Sequence, residues 1–453
     1  MSDSADVIVI GMGIGGEAVA GSLSEQGLDV IGIDANLVGG ECPYWGCIPS
    51  KMMIRAANLL AEARRIPGTA GDATVTPDWS PVAARIREQA TDNWNDQVAV
   101  DRFEGKGGRF VRGRATIEGP GRVSVDGTTY EASRGIVVAI GTEPAVPPIP
   151  GLADVDYWTN REAIQADELP GSLAVLGAGA IGSELAQVFA RFGVQVTVVE
   201  ALDRLVPLED PEAGELLADA FTAEGIKVHT GALATAVSSG SDGISVTLED
   251  GSIITAEKLL VATGRRTDLA GLGWESLGLD SSARFAEVDE HMRVVGTDGV
   301  WAVGDITGAG LFTHVAAYQA SIAIDAIQNR PGEGADYRAL PRVTFTDPEV
   351  GSVGLGEAAA REAGLDVTAV SQLVPHSARG WLHGPGNEGL IKLVVDNDRQ
   401  VLVGATSVGP HGGEVLGMLT LAVHAQTPIA TLRSMIYAYP TFHRAVEDAL
   451  NQL

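Results

Sequence analysis

Cysteine is almost absent from this chain: 453 residues carry two, Cys42 and Cys47. So few exclude a secreted disulfide scaffold, and a lasting structural disulfide is unusual in a reducing compartment. Basic residues are also scarce, with Lys+Arg 31 against Asp+Glu 59 and a formal net charge of −28. Such a surface repels phosphate backbones and anionic lipids, and no basic patch offsets it, so no nucleic-acid or membrane partner is expected. No apolar run reaches the roughly 20 residues of a membrane span; "GIVVAIG" is strand-length. "MSDSADVIVIGMG" has no basic stretch followed by a long apolar one, so the chain reads as lacking a signal peptide and as cytoplasmic. Glycine, in contrast, is plentiful at 57 residues, and hydrophobic content is 45%. That composition suits an α/β protein with many strand-to-helix turns, in two to four domains.

The glycines are organised. In "ADVIVIGMGIGGEAVAGSLSEQGLDVIGID", Gly11, Gly13 and Gly16 directly follow an apolar strand and open a helix, and Asp34 closes the next strand. The first glycine permits a tight turn, the second lets backbone approach a pyrophosphate, and the third lets helix and strand pack closely. The pyrophosphate rests on the helix N-terminus, and the closing acid accepts from a ribose hydroxyl. The pattern recurs in "GSLAVLGAGAIGSELAQVFARFGVQVTVVEALDRLVP", with Gly177, Gly179, Gly182 and the closing acid Glu200. Glu200 favours NADH over NADPH because it repels a 2′-phosphate, although Arg204 lies nearby.

Further segments return towards these sites. "GIVVAIGTEPAVPPIPG" turns at Gly141 and Thr142, "KLLVATGRRTD" turns at Gly264, and "GVWAVGDITG" sets Gly304 and Asp305 after an apolar strand. Gly40, beside the cysteines, joins the cofactor-binding candidates. From about Leu340 the composition changes to antiparallel strand runs followed by helices at 414–426, 431–437 and 441–453. The expected fold is α/β: two Rossmann-like dinucleotide-binding domains plus a C-terminal α+β domain. The expected boundaries are 1–150 and 271–338 for the first dinucleotide domain, 151–270 for the second, and 339–453 for the last.

The cysteines sit in "GGECPYWGCIPSKMM" and admit three readings. A zinc site needs four ligands, and Cys-x4-Cys supplies two with no histidine in the segment, so no metal site is expected. Two unrelated buried thiols is the bland alternative. A redox pair fits better: a helix starting near Cys47, with Pro49 in its first turn, stabilises a thiolate there, helped by Lys51. The preceding loop would bring Cys42 within bonding range. Nicotinamide delivers a hydride and a disulfide must be attacked at sulfur, and flavin links the two.

Taken together, these motifs resemble the class I pyridine nucleotide–disulfide oxidoreductases over essentially the full length. "GGECPYWGCIPSK" resembles their redox-disulfide segment, the first glycine turn their FAD motif and "GAGAIGSE" their nicotinamide motif. "VWAVGDITG" resembles their second flavin motif, and "PRVTFTDPEVGSVGLGE" the opening of their dimerisation domain. The resemblance implies FAD and NAD(P)H as cofactors and a homodimer in which one subunit's C-terminal domain completes the other's active site. It also implies that Cys47 faces the flavin, that Cys42 meets the substrate and that Lys51 pairs with Glu184 near the flavin. Asp34 would hold the FAD ribose, Asp305 the ribityl chain, and Thr313, His314 and Ala316 would line the ring.

The chain departs from the family at "YAYPTFHRAVEDAL". Tyr439 stands where the disulfide reductases carry a base histidine, and Arg444 where they carry its glutamate. A phenol with a pKa of about 10 is a poor base near neutrality. His443 is the only imidazole nearby and is the candidate substitute. Tyr44 and Trp45 lie between the cysteines and either restrict access, stack on a planar substrate or simply pack. Three functions compete: reduction of a small disulfide or other small electrophile through Cys42–Cys47, diaphorase-like reduction of quinones or metal ions as in the mercuric reductase core, and a non-catalytic redox-sensing flavoprotein.

Overall fold

A computed structural model describes residues 3–453. The chain divides into two compact units. The first holds residues up to Pro49, Arg85–Ala145 and Arg265–Asp336; the second holds Ser50–Ala84, Val146–Gly264 and Tyr337–Leu453.

The first unit is built on a seven-stranded sheet. Strand Asp3–Ile10 lies between Val30–Asp34 and Thr128–Val138, parallel to both, with Arg109–Arg112 beyond the former and Val300–Ala302 beside the latter. The meander Ala115–Gly119, Arg122–Val125, Thr128–Val138 adds antiparallel pairs. Side chains alternate across a strand, so "VIVI" is apolar throughout because both faces are covered. Val7 and Val9 enter one core with Leu23, Phe103 and Ala323, while Ile8 and Ile10 enter the other with Ile33, Ile117 and Trp274.

In the second unit, a parallel sheet orders Lys227–His229, Gln195–Val199, Ser172–Leu176 and Lys258–Val261. An antiparallel three-stranded sheet follows Ala234–Ala256. A five-stranded antiparallel sheet runs Pro341–Thr344, Glu349–Gly354, Val401–Gly409, Leu390–Asp396, Val367–Leu373. Helices Gly412–His424 and Arg444–Leu450 close its core through Leu416, Leu419, Val446 and Leu450.

Two local expectations need correction. The loop expected around Cys42 is a short helix, Glu41–Trp45, bounded by Gly40 at φ +75° and ended at Gly46. The helix expected at 431–437 is Ile429–Ser434, starting directly after Pro428, whose fixed φ suits a helix start. The helices expected at 414–426 and 441–453 are Gly412–His424 and Arg444–Leu450.

Candidate active site

Both glycine turns have the same construction. Gly11 and Gly177 lie at φ +89° and +96°, where an L side chain is strained. A Cβ on Gly11 would stand 2.4 Å from the Ala139 carbonyl oxygen, and one on Gly177 2.5 Å from that of Ala262. A Cβ on Gly16 or Gly182 would strike the carbonyl oxygen of the first glycine at 1.8 or 2.0 Å. The fold itself therefore requires the first and third glycines. The middle ones differ: a Cβ on Gly13 meets nothing nearer than 3.8 Å, and on Gly179 nothing within 4 Å. That room, at a helix N-terminus with unpaired N–H groups, fits a pyrophosphate.

The closing acids are also held alike. Asp34 accepts from the Met12 N–H at 2.6 Å and the Asn36 N–H at 2.7 Å; Glu200 accepts from Ala178 at 2.7 Å and Leu202 at 2.8 Å. Burial lifts the Asp34 pKa above the usual carboxylate range, and the Met12 and Asn36 N–H groups only partly oppose it. Near the second turn, Arg204 is engaged by Asp203 at 2.9 Å and by the Pro207 carbonyl at 3.1 Å.

The first turn has a second polar set in its own unit. The Thr142 hydroxyl donates to Asp305 at 2.8 Å. Arg265 donates to the Thr142 hydroxyl at 2.7 Å and carbonyl at 2.6 Å, and lies 4.0 Å from Asp305 and 3.9 Å from Glu41. Burial raises the Asp305 pKa, while Thr142 and Arg265 pull it down. Buried Gln319 accepts the Gly304 N–H at 2.7 Å and donates to Thr307 at 2.9 Å, fixing this corner. Neither Arg265 nor Gln319 has a local signature in the sequence, where "ATGRRTD" points to its glycine alone. Gly141 and Gly264 lie at φ +65° and +123° with no protein atom within 4 Å of an added Cβ. Gly40 packs on the Cα of Gly13, 2.8 Å from an added Cβ, and Ala316 lies over Gly15 and Gly304.

Cys42 lies in helix Glu41–Trp45 and Cys47 starts helix Cys47–Arg64, so both thiols are carried on helical turns. Both carry thiols, Cys47 exposed and Cys42 half-buried. The Thr313 hydroxyl lies 3.4 Å from the Cys47 sulfur, in the same unit, and His314 stacks on Phe312 at 5.2 Å. Hydrogen bonding to Cys47, then burial, drives the Cys42 thiol far above the ordinary range; Thr313 opposes this.

In the second unit Lys51 pairs with Glu184 at 2.8 Å. Glu184 also accepts the Phe345 N–H at 2.8 Å, and the Lys51 ammonium lies 4.6 Å from the Phe345 ring centroid. Further along this unit, Tyr439 is 69% exposed, the Arg444 guanidinium covers its ring at 5.4 Å and pairs with Glu447 at 2.8 Å. Arg444 thus has a protein carboxylate of its own. His443 precedes helix Arg444–Leu450 as its N-cap residue, with no side-chain cap bond.

The chain belongs to the pyridine nucleotide-disulphide oxidoreductases: residues 5–320 match that family and residues 340–450 its dimerisation domain. It is an FAD-dependent enzyme that works with NAD(P)H. It is 34% identical over 465 residues to a dihydrolipoyl dehydrogenase of Thermus scotoductus, covering 99% of this chain and 97% of the relative. It is 32% identical over 453 residues to a mercuric reductase of Staphylococcus aureus, covering 98% of this chain and 81% of the relative. Its structure is similar to the Cu(II) complex of the HOCl-induced flavoprotein disulfide reductase RclA from Escherichia coli, with a TM-score of 0.85, 26% identity and 99% of each chain covered. Among the described residues no helix is long and apolar enough to cross a membrane, and no group of three or more His, Cys, Asp or Glu side chains is placed to hold a metal ion.

Proposed function

We propose that the chain moves electrons from NAD(P)H through FAD to the Cys42–Cys47 pair and on to a small disulfide or other small electrophile. Gly11, Gly13, Gly16, Asp34, Thr142 and Asp305 would hold the FAD, and Gly177, Gly179, Gly182 and Glu200 the nicotinamide dinucleotide, with NADH preferred. Bound FAD supplies acceptance of a hydride and delivery of its electron pair to sulfur. The observation that carries the reading is the unequal pair of thiols. Hydrogen bonding with Cys47 and then burial raise the Cys42 pKa, which favours negative charge in the reduced pair on the exposed Cys47. There the Thr313 hydroxyl at 3.4 Å and the start of a helix stabilise it. Cys42 then attacks the acceptor, and its proton must leave. Lys51, neutralised by Glu184 at 2.8 Å, supplies a fixed dipole in place of a net charge.

The match to the dimerisation domain supports a homodimer, as does the exposed apolar surface of that domain, where Ile436 is 99% and Trp381 75% exposed. A second reading, with a metal ion as substrate, draws on the same Tyr439 that weakens proton relay. It is consistent with the mercuric reductase relative and with the Cu(II) complex of RclA.

Anaerobic NADH titration of purified enzyme tests the first reading. A long-wavelength thiolate–flavin band should appear, vanish in Cys47→Ser, and arise without NADH in Cys42→Ser. Immediate full bleaching with no such band would favour direct transfer from flavin to quinones or metal ions. A steady-state panel of lipoamide, small thiol disulfides, quinones and cupric or mercuric ions then selects the acceptor class. Tyr439→His with Arg444→Glu should raise turnover if the acceptor is a disulfide, and leave it unchanged if it is a metal ion.

A further inference from the structure

The redox segment is held by a stretch that lies outside the cysteine motif. Ile86–Ala90 forms one π-helical turn, and Asp92, Asn93 and Trp94 follow at φ +47°, +54° and +55°. Three successive L-residues in the left-handed region are rare, and a tryptophan there is strained. Such backbone persists where its surroundings over-determine it, and it gathers at functional sites. Here the support is visible. Thr91, 1% exposed, directs its hydroxyl at the Ile86 and Arg87 carbonyls, 3.0 and 3.1 Å away, and accepts the Trp94 backbone N–H at 3.4 Å. The Asn93 N–H donates to the Arg87 carbonyl at 2.6 Å.

Two bonds run from this stretch to the segment carrying Cys42. The Trp94 indole N–H donates to the Tyr44 carbonyl at 3.3 Å, and Asp96 accepts the Val38 N–H at 2.6 Å. The Tyr44 carbonyl belongs to the last turn of a five-residue helix, where carbonyls have no partner within the helix. The Tyr44 ring is buried under Gly39, 3.4 Å from an added Cβ, so the residue is fixed at both its side chain and its backbone.

We infer that Trp94 is a positioning residue for the dithiol: its indole N–H fixes the backbone that carries Cys42, keeping the two sulfurs within reach of each other. The inference rests on the proposal that Cys42 and Cys47 cycle between disulfide and dithiol. A pre-organised turn raises the effective concentration of one thiol at the other, so loosening the turn favours the open dithiol. One hydrogen bond sets the scale, about three- to tenfold in that equilibrium.

The test equilibrates FAD-loaded enzyme anaerobically with mixtures of reduced and oxidised dithiothreitol. The reagent's two thiols lose two electrons and two protons to become its cyclic disulfide, while the Cys42–Cys47 bond gains them to become two thiols. The oxidised fraction is read by thiol labelling and mass spectrometry. Trp94→Phe keeps an aromatic ring and removes the donor. It should move the equilibrium about three- to tenfold towards dithiol at unchanged FAD content, tenfold being about 30 mV for this two-electron couple. An unshifted equilibrium overturns the inference. Should Trp94→Phe not fold, Thr91→Val loosens the same turn without touching the redox segment; a smaller shift in the same direction supports the inference, and none overturns it. A wild-type enzyme with no Cys42–Cys47 bond at any dithiothreitol ratio sinks the proposed function itself. A wild-type bond with unshifted variants sinks only the role of Trp94.

Discussion

The two glycine turns repeat each other almost atom for atom and then diverge in what surrounds them. Each has a first glycine beyond φ +85°, a third glycine with no room for a Cβ, and a closing acid bound to two backbone N–H groups. In the first unit the chain comes back with strand Val300–Ala302, and with it come Asp305, Thr142 and Arg265 in one hydrogen-bonded set. At the second turn the chain comes back with strand Lys258–Val261, and the Ala262 carbonyl lies against Gly177. Near Glu200 the chain instead leaves Leu202 and Leu208 55% and 86% exposed. Identical local chemistry with unequal support is what a retained cofactor and an exchanging one require. The first needs many fixed contacts, while the second must be released on every turnover.

The strongest way to break this comparison is to fill the middle glycines. Gly13 and Gly179 have ordinary φ values of −70° and −68°, and the protein leaves each of them room. Alanine at either position should leave stability within ~0.5 kcal/mol. On the proposed assignment, Gly13→Ala loses FAD and purifies colourless, whereas Gly179→Ala stays yellow and loses about a hundredfold in kcat/KM for NADH. Gly16→Ala and Gly182→Ala are the contrast, because their Cβ atoms collide with backbone and should cost ~1–3 kcal/mol or more in thermal unfolding. If Gly13→Ala stays folded and yellow but loses thermal stability, the middle glycine serves packing and the pyrophosphate assignment fails.

A smaller effect should come from the polar set at the first turn. Arg265→Ala leaves the Thr142 hydroxyl and the half-buried Asp305 carboxylate without their cation. FAD affinity should fall about tenfold, the scale of one charge-assisted bond, with KM for NADH unchanged in enzyme that keeps its flavin. Equal loss at both sites would show that the asymmetry is not functional.

These sites were unequally legible in the sequence. The glycine spacing, the closing acids and the cysteine segment could be read because each is local: strand, turn and helix follow one another along the chain, and the residue types answer to backbone geometry. Lys51 with Glu184 came only through resemblance, since 133 residues separate them. Arg265 and Gln319 had no local signature, because an arginine after a strand and a glutamine within a helix are ordinary until folding carries them to Thr142 and Gly304. Trp94 was hidden for another reason. Nothing in "ATDNWND" announces three left-handed residues, and only the Thr91 bonds that sustain them make the turn visible.

Acid should separate the two turns more gently. Burial raises the Asp34 pKa above its ordinary value of 3.8. In the cofactor-free chain, a raised folded-state pKa means that this group's share of stability is fully present below the ordinary value. That share is lost as pH rises through the folded pKa. The proposed ribose recognition by Asp34 would run the other way, because it needs the carboxylate. FAD release, followed by flavin fluorescence from pH 7 downwards, should therefore begin above the range of an exposed aspartate. Asp34→Asn should flatten that part of the profile. An unchanged profile would assign acid release to another group.

The smallest effect concerns coenzyme choice. On the proposed assignment Glu200 would disfavour a 2′-phosphate by charge, and its position is fixed because Ala178 and Leu202 hold both carboxylate oxygens. Arg204, a nearby cation, is turned to Asp203 and the Pro207 carbonyl. Removing the charge with Glu200→Gln should therefore relieve repulsion without creating attraction. About 1 kcal/mol for charges some 4 Å apart in water corresponds to roughly a fivefold narrowing of the NADH-to-NADPH ratio in kcat/KM. Most of it should appear in KM, because the ribose lies far from the reacting carbon. Adding Arg204→Ala should change NADPH use no further, since both terminal guanidinium nitrogens are already bonded to Asp203 and the Pro207 carbonyl. A loss of NADPH activity in the double variant would show Arg204 swinging onto the phosphate, and a wild-type preference for NADPH would overturn the reading of Glu200 altogether.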